Sequence, residues 1–202
     1  KIRKMTTVVL LICALTLSGC AGIEPEKRMY PLALGVEQSE NGWKFIYGLP
    51  ELPSAEGQEK EETGNSALAI TGVDFETIEK IYDRSQEKYL DMGHLQVLVI
   101  GQTLVEDGRW RMVLDYLKQE AFVGEDLYVF EAENAAEILN WQGEDNSSVG
   151  EYISGLLENR MSGGNTEMVT LRELFYEKYK EDKLKELPYV NIRNGSINLQ
   201  NV

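Results

Sequence analysis

The chain has 202 residues, 43% of them hydrophobic, and carries 34 Asp and Glu against 20 Lys and Arg, a formal charge of −14. That is apolar material for one domain, or at most one and a half. The acidic balance excludes nucleic acid as a partner, because such a domain repels phosphates instead of releasing their counterions. An anionic lipid surface should repel it as well.

The chain opens on a basic start, Lys1, Arg3 and Lys4. Met5 to Leu17 follow as an apolar run of about a dozen residues, the length of a secretory leader. A spanning helix needs ~20. Leu17-Ser18-Gly19-Cys20 then has the form of a bacterial lipobox. Residues 1–19 are expected to be removed and the Cys20 thiol to carry a diacylglyceryl group. No other cofactor is expected. The two acyl chains supply the two hydrophobic signals that stable anchoring requires. An ordinary leader with a chance cysteine, or a buried apolar helix, would explain the run alone. Neither explains the basic start, the short run and the lipobox together.

Because the first residue is Lys, an initiator is expected upstream. Cys13 leaves with the leader, so Cys20 is the sole cysteine of the mature chain, which excludes a disulfide framework and a thiolate metal site. Loss of the three leader cations makes the remainder more acidic still. The lipid is then expected to hold the membrane while the domain stands off the bilayer.

Residues 20–28, polar and broken by Pro25, read as a tether, and residues 29–202 as the folded domain. Leu32 to Val36 is a short apolar strand, and Ser39-Glu40-Asn41-Gly42 is a turn whose Asn-Gly is a strong hairpin signal before a second strand, Trp43 to Tyr47. Pro50 to Ser66 is rich in Glu, Gly, Pro and Ser and reads as a solvated loop. Ala67 to Thr71 suits a third strand. Asp74 offers an N-cap for a helix to about Tyr89, with Phe75, Ile78, Ile81, Tyr82 and Tyr89 on one face. Leu95 to Ile100 is continuously apolar, as in a strand buried on both faces, and Gly101 ends it.

Trp110, Val113, Leu114 and Leu117 fit a second amphipathic helix, and Leu127 to Phe130 a strand. Asn134 with Glu137, and Thr170 with Glu173, have the spacing of capping boxes. The first opens a short helix through Leu139, the second a helix through Leu174 and Tyr179. Between them, Gly143 to Ser148 reads as a loop, Val149 to Arg160 as a helix, and Ser162 to Asn165 as a break. Tyr189 to Arg193, Asn194-Gly195 and Ser196 to Leu199 form a terminal hairpin. The pattern predicts an α+β fold: a mixed, mostly antiparallel sheet packed with helices, with hairpins near both ends.

No residue set declares catalysis. His94 is the only histidine. As a base or metal ligand it lacks any His or Cys partner, and a turn-stabilising or packed role before a strand is the plainer reading. Glu125-Asp126 and Glu144-Asp145 lack the alternating ligands and central glycine of a calcium loop. Gly163-Gly164 lacks the Lys-Ser/Thr of a phosphate loop.

Several segments, in order, resemble the Ger(x)C family, the C-subunit lipoproteins of spore germinant receptors. The lipobox is followed by Leu32-Ala33-Leu34-Gly35-Val36 and by Trp43 to Pro50. Lys88-Tyr89-Leu90-Asp91-Met92-Gly93-His94-Leu95-Gln96-Val97-Leu98-Val99-Ile100-Gly101 is the most diagnostic segment. Met112 to Leu117, Leu127 to Phe130 and Ala135 to Leu139 continue the match. Many members carry Trp-Asp after the cysteine, where this chain has Ala21-Gly22.

The resemblance covers the family's N-terminal portion, and its C-terminal domains are expected to be absent here. It implies a non-enzymatic subunit, assembled with A- and B-type integral-membrane subunits. The lipid would hold it on the extracytoplasmic face, in the inner spore membrane of a Gram-positive spore former. It also implies structural roles for Gly93, His94 and Gly101. The competing reading is a small-solute-binding lipoprotein of a transporter, for which the chain is short.

Overall fold

The computed structural model describes residues 23–50, 67–143, 147–160 and 168–200. The lipobox residues Leu17, Ser18, Gly19 and Cys20, most of the expected 50–66 loop, Glu144-Asp145 and the Ser162 to Asn165 break lie outside them.

After a 3-10 turn at Pro25–Lys27 comes β1 (Arg28–Met29), then the hairpin β2 (Ala33–Ser39) and β3 (Gly42–Gly48), then β4 (Ala67–Gly72). Helix α1 (Phe75–Ser85) leads to β5 (Tyr89–Leu90), a 3-10 turn at Met92–His94 and β6 (Val97–Gly101). Helices α2 (Gln102–Glu106) and α3 (Trp110–Gln119) precede β7 (Tyr128–Ala132). Helices α4 (Ala135–Leu139), α5 (Val149–Arg160) and α6 (Leu171–Glu181) precede the last hairpin, β8 (Tyr189–Arg193) and β9 (Ser196–Gln200).

The main sheet has the order β4-β3-β2-β6-β7-β8-β9, and β1 pairs with β5 in a small separate ladder. The expected α+β fold, with a mixed sheet and a hairpin near each end, is observed. Antiparallel pairing is confined to those ends: β2–β3, β3–β4 and β8–β9 are antiparallel, while β2–β6, β6–β7 and β7–β8 are parallel. The helices between β6, β7 and β8 supply the crossovers that parallel neighbours need.

Side chains alternate across the sheet with period two. Leu34, Val36, Phe45, Tyr47, Leu98, Ile100 and Val129 line one face, beneath α1, α3, α6 and Leu104 of α2. Ala33, Ile46, Val97, Val99, Phe130 and Ala132 line the other, beneath α4 and α5. Every residue of β6 is buried, as its unbroken apolar run predicts.

Local signals place several helix starts. Asp74 accepts from the Thr77 N–H at 2.8 Å and Asn134 from the Glu137 N–H at 2.9 Å. Thr170 and Glu173 form a full reciprocal capping box. Glu37 of β2 accepts from the Ala136 N–H at 2.9 Å and from Lys44 at 3.3 Å, so it ties α4 to the hairpin. Leu139 of α4 nests over Gly35 and Gly48, where an added Cβ would lie 3.0 and 2.9 Å from its methyls. The glycine in the family-like strand at Leu32 to Val36 is therefore the seat of a helix side chain.

Two expectations are corrected. The helix after Asp74 ends at Ser85, and Tyr89 is an exposed strand residue outside the helix face. The chain leaves the helix there because β5 pairs with β1. The first hairpin turns over Ser39-Glu40-Asn41-Gly42 as expected, with Glu40 and Asn41 in the loop and Ser39 opposite Gly42. Gly42 adopts φ +150, and its Cα packs where a side chain would strike Gly72 O. The terminal hairpin does turn on Asn194-Gly195, at φ 52 and 79, the left-handed pair of a type I′ turn. Gly101 ends β6 as expected, and α2 follows it without a break. The second correction concerns the expected tether, which is not wholly free: Pro25–Lys27 is a turn and Arg28 is a strand residue.

Candidate functional site

The family-like segment from Lys88 to Gly101 begins at the amino ends of β2 and β6, and there it meets the chain arriving from the N-terminus. Arg28 pairs with Tyr89 and Met29 with Leu90 in a parallel register. The Asp91 N–H donates to Met29 O at 2.9 Å. The Arg28 guanidinium donates to the Asp91 carboxylate at 2.6 Å, and its Nε donates to Ile23 O at 3.2 Å. Asp91 also accepts from the Gly93 N–H at 3.0 Å, which closes the 3-10 turn. A side chain on Gly93 would sit 3.0 Å from that carboxylate and 3.4 Å from Phe122 O. One carboxylate thus holds both the arriving strand and the turn.

Burial raises the Asp91 carboxyl. The Arg28 hydrogen bond, the Gly93 N–H and the charges of Arg28 and His94 more than offset this, and the group lies below the ordinary aspartate value. From the core side, the Tyr82 hydroxyl of α1 donates to Lys88 O at 3.0 Å and touches the Met29 sulfur. Burial, then the Asp83 charge, pushes this phenol up to about 12, so it remains a donor.

Gly93 and His94 therefore sit together at this junction. His94 is exposed, with its ring edge-on to Tyr30 at 4.8 Å between centroids. Gly101 lies at the other end of β6, as the last strand residue and the N-cap of α2. There an added Cβ would lie 3.4 Å from Val36 O and from the Glu37 side chain. Cys20 lies outside the described residues. Sequence reading missed the Arg28–Asp91 pair, because no local pattern joins residues 63 apart.

Elsewhere the chemistry is sparse. Among the described residues no three His, Cys, Asp or Glu converge to hold a metal, and no helix is long and apolar enough to cross a membrane. An open groove of about 590 Å³ lies at the opposite end of the sheet, lined by Val105, Trp110, Arg111, Glu131, Asp182 and residues 183–187. Its cations are already engaged: Arg111 donates to Asp182 at 2.8 Å and Lys185 to Glu173 at 3.1 Å. Burial, then Glu106, raises the Glu131 carboxyl. Between the sheet and helices α1 and α3, burial is the main cause that pushes the Tyr47 and Tyr116 phenols far up, followed by Glu79 for Tyr47 and by Tyr47 and then Glu120 for Tyr116, which keeps both neutral.

The fold and junction define an α+β domain whose N-terminal strand is locked onto one end of its sheet. The family model described as the spore germination protein N-terminal domain matches residues 22–192. The chain therefore belongs to that family, as a spore germination protein of the Ger(x)C type, whose members are non-catalytic and receptor-like. Neither the curated proteins nor the solved structures yield a match.

Proposed function

We propose that this chain is a non-enzymatic, lipid-anchored subunit of a spore nutrient germinant receptor. It carries diacylglycerol on Cys20 and assembles with A- and B-type integral-membrane subunits at the inner spore membrane. The single observation behind this reading is the juxtaposition of lipobox and family domain. The family match starts at residue 22, two residues after Cys20. A lipid at that position would keep the domain beside membrane-embedded partners, which a domain this acidic could not achieve by charge.

The test is Cys20→Ala in the full chain. The expected outcome is loss of the protein from the membrane fraction and a reduced germination response to nutrients, with the folded domain intact by circular dichroism. Full membrane retention with normal germination in that variant refutes the proposal. Co-purification of the wild type with polytopic subunits supports it. Tight calorimetric binding of an amino acid or sugar by the isolated protein would favour a solute-binding lipoprotein.

A further inference from the structure

The junction that locks the N-terminal strand also fixes which end of the domain can meet the bilayer. Residues 23–28 are folded onto themselves and the domain by the Lys27–Glu24 pair at 2.9 Å, the Arg28–Ile23 bond and the Arg28–Asp91 pair. Only Ala21 and Gly22 separate Cys20 from Ile23. Three residue steps span at most ~11 Å. The headgroup layer of one leaflet takes up roughly 5–7 Å of that. A lipid on Cys20 would therefore leave Ile23 only a few ångströms beyond the headgroups.

Contacts lead from Ile23 through Arg28, Asp91 and Gly93 to Phe122, whose backbone borders Gly93. Phe122 is 75% exposed, the most exposed large apolar side chain of the described residues. Tyr89, paired with Arg28, is 56% exposed, and Ile23 is also exposed. Exposed aromatics at the tether end of a domain are suited to the bilayer interface, where the amphipathic tyrosine ring sits at headgroup level and an apolar phenylalanine ring reaches the acyl boundary. The charge there permits it. Segments 23–30 and 87–96 carry Glu24, Glu26, Glu87 and Asp91 against Lys27, Arg28 and Lys88. In the 120–126 loop Glu125 is paired with Lys118 at 2.6 Å, leaving Glu120 and Asp126. Most of the −14 lies elsewhere.

We infer that the domain rests on the bilayer with the amino ends of β2 and β6 facing the lipid, Tyr89 in the headgroup layer and Phe122 at the acyl boundary. The stand-off expected from net charge gives way to a seated orientation. The β4–α1 corner at Val73 and the open groove then face away from the membrane. Val73 is exposed and lies beyond the far end of the strands, about five residues or ~17 Å along the sheet. This inference rests on lipidation of Cys20.

The test uses the full chain, lipidated in a bacterial host and reconstituted into phosphatidylcholine vesicles. Phe122→Cys and Val73→Cys each introduce one free thiol, because Cys13 leaves with the leader and Cys20 is blocked by lipid. Each thiol carries an environment-sensitive fluorophore, and lipid-borne nitroxide is the quencher. The expected result is severalfold stronger quenching at 122 than at 73. Equal or absent quenching at 122, in protein that remains on the vesicles, overturns the orientation while leaving the anchor standing. Shielding of position 122 only by an added membrane subunit, or only at high protein density, assigns the patch to a protein contact and also overturns it. Protein shown by mass spectrometry to lack the diacylglyceryl group, and lost from the vesicles, defeats the anchoring proposal itself and this inference with it.

Discussion

The Arg28–Asp91 pair is the joint on which the junction turns, and its contribution can be worked out. The side chains are 32% and 15% exposed and meet at 2.6 Å, so the pair lies between a surface ion pair and a buried one. Fully exposed pairs couple by ~0–1 kcal/mol, whereas hydrogen bonds to charged groups contribute ~1.5–3 kcal/mol. Partial burial places the coupling at roughly 1–2 kcal/mol. A double-mutant cycle with Arg28→Met and Asp91→Asn, read by urea denaturation with tryptophan fluorescence, isolates it.

The pH dependence has a definite sign. The Asp91 carboxyl lies below the ordinary 3.8 in the folded state. Its contribution is therefore present above that value and disappears as pH falls through the lower, folded one. The coupling should be complete at neutral pH and shrink in acid. A coupling below ~0.3 kcal/mol at neutral pH, within the scatter of independent sites, refutes the assignment of this pair as the joint. So does one that persists unchanged once Asp91 is protonated.

Two further outcomes follow from the packing. Gly150 of α5 lies against the chain entering β2, where an added Cβ would sit 2.7 Å from the Leu32 Cβ and 3.0 Å from its carbonyl carbon. Gly150→Ala should destabilise by about 1–3 kcal/mol from overpacking, outweighing the ~1 kcal/mol that alanine gains in helix propensity. A higher melting temperature in that variant would contradict the packing. Lys178 is almost wholly buried and paired with Asp115, which also accepts from the Tyr179 hydroxyl at 2.8 Å. Asp115→Ala strands that ammonium and should cost about 1–3 kcal/mol, discounted for the exposed side of the carboxylate, whereas Lys178→Met should be neutral within ~1 kcal/mol. Equal costs in chemical denaturation would remove the pair from the account.

The helix caps and the strand runs were legible because each is local. A cap needs a side chain and an N–H three residues apart, and Thr170 with Glu173 is readable without any neighbour. The unbroken apolar run at Val97–Gly101 states that both faces are covered, and they are. Period-two alternation in Trp43, Phe45 and Tyr47 likewise states which side chains share a face. It does not state which strand lies alongside.

Tertiary structure alone decided the rest. It placed β2 between β3 and β6, made the central ladders parallel, and drew Tyr89 out of its helix into a pairing with Arg28. It set Leu139 on Gly35 across a hundred residues of chain. It also gathered Arg28, Asp91, Gly93 and Phe122, from three separate segments, at one end of the sheet. Hydrophobic patterning specifies burial, which is a property of a single residue. Pairing and proximity are properties of two, and they emerge only when the competing ways of burying the same surface have been settled by packing.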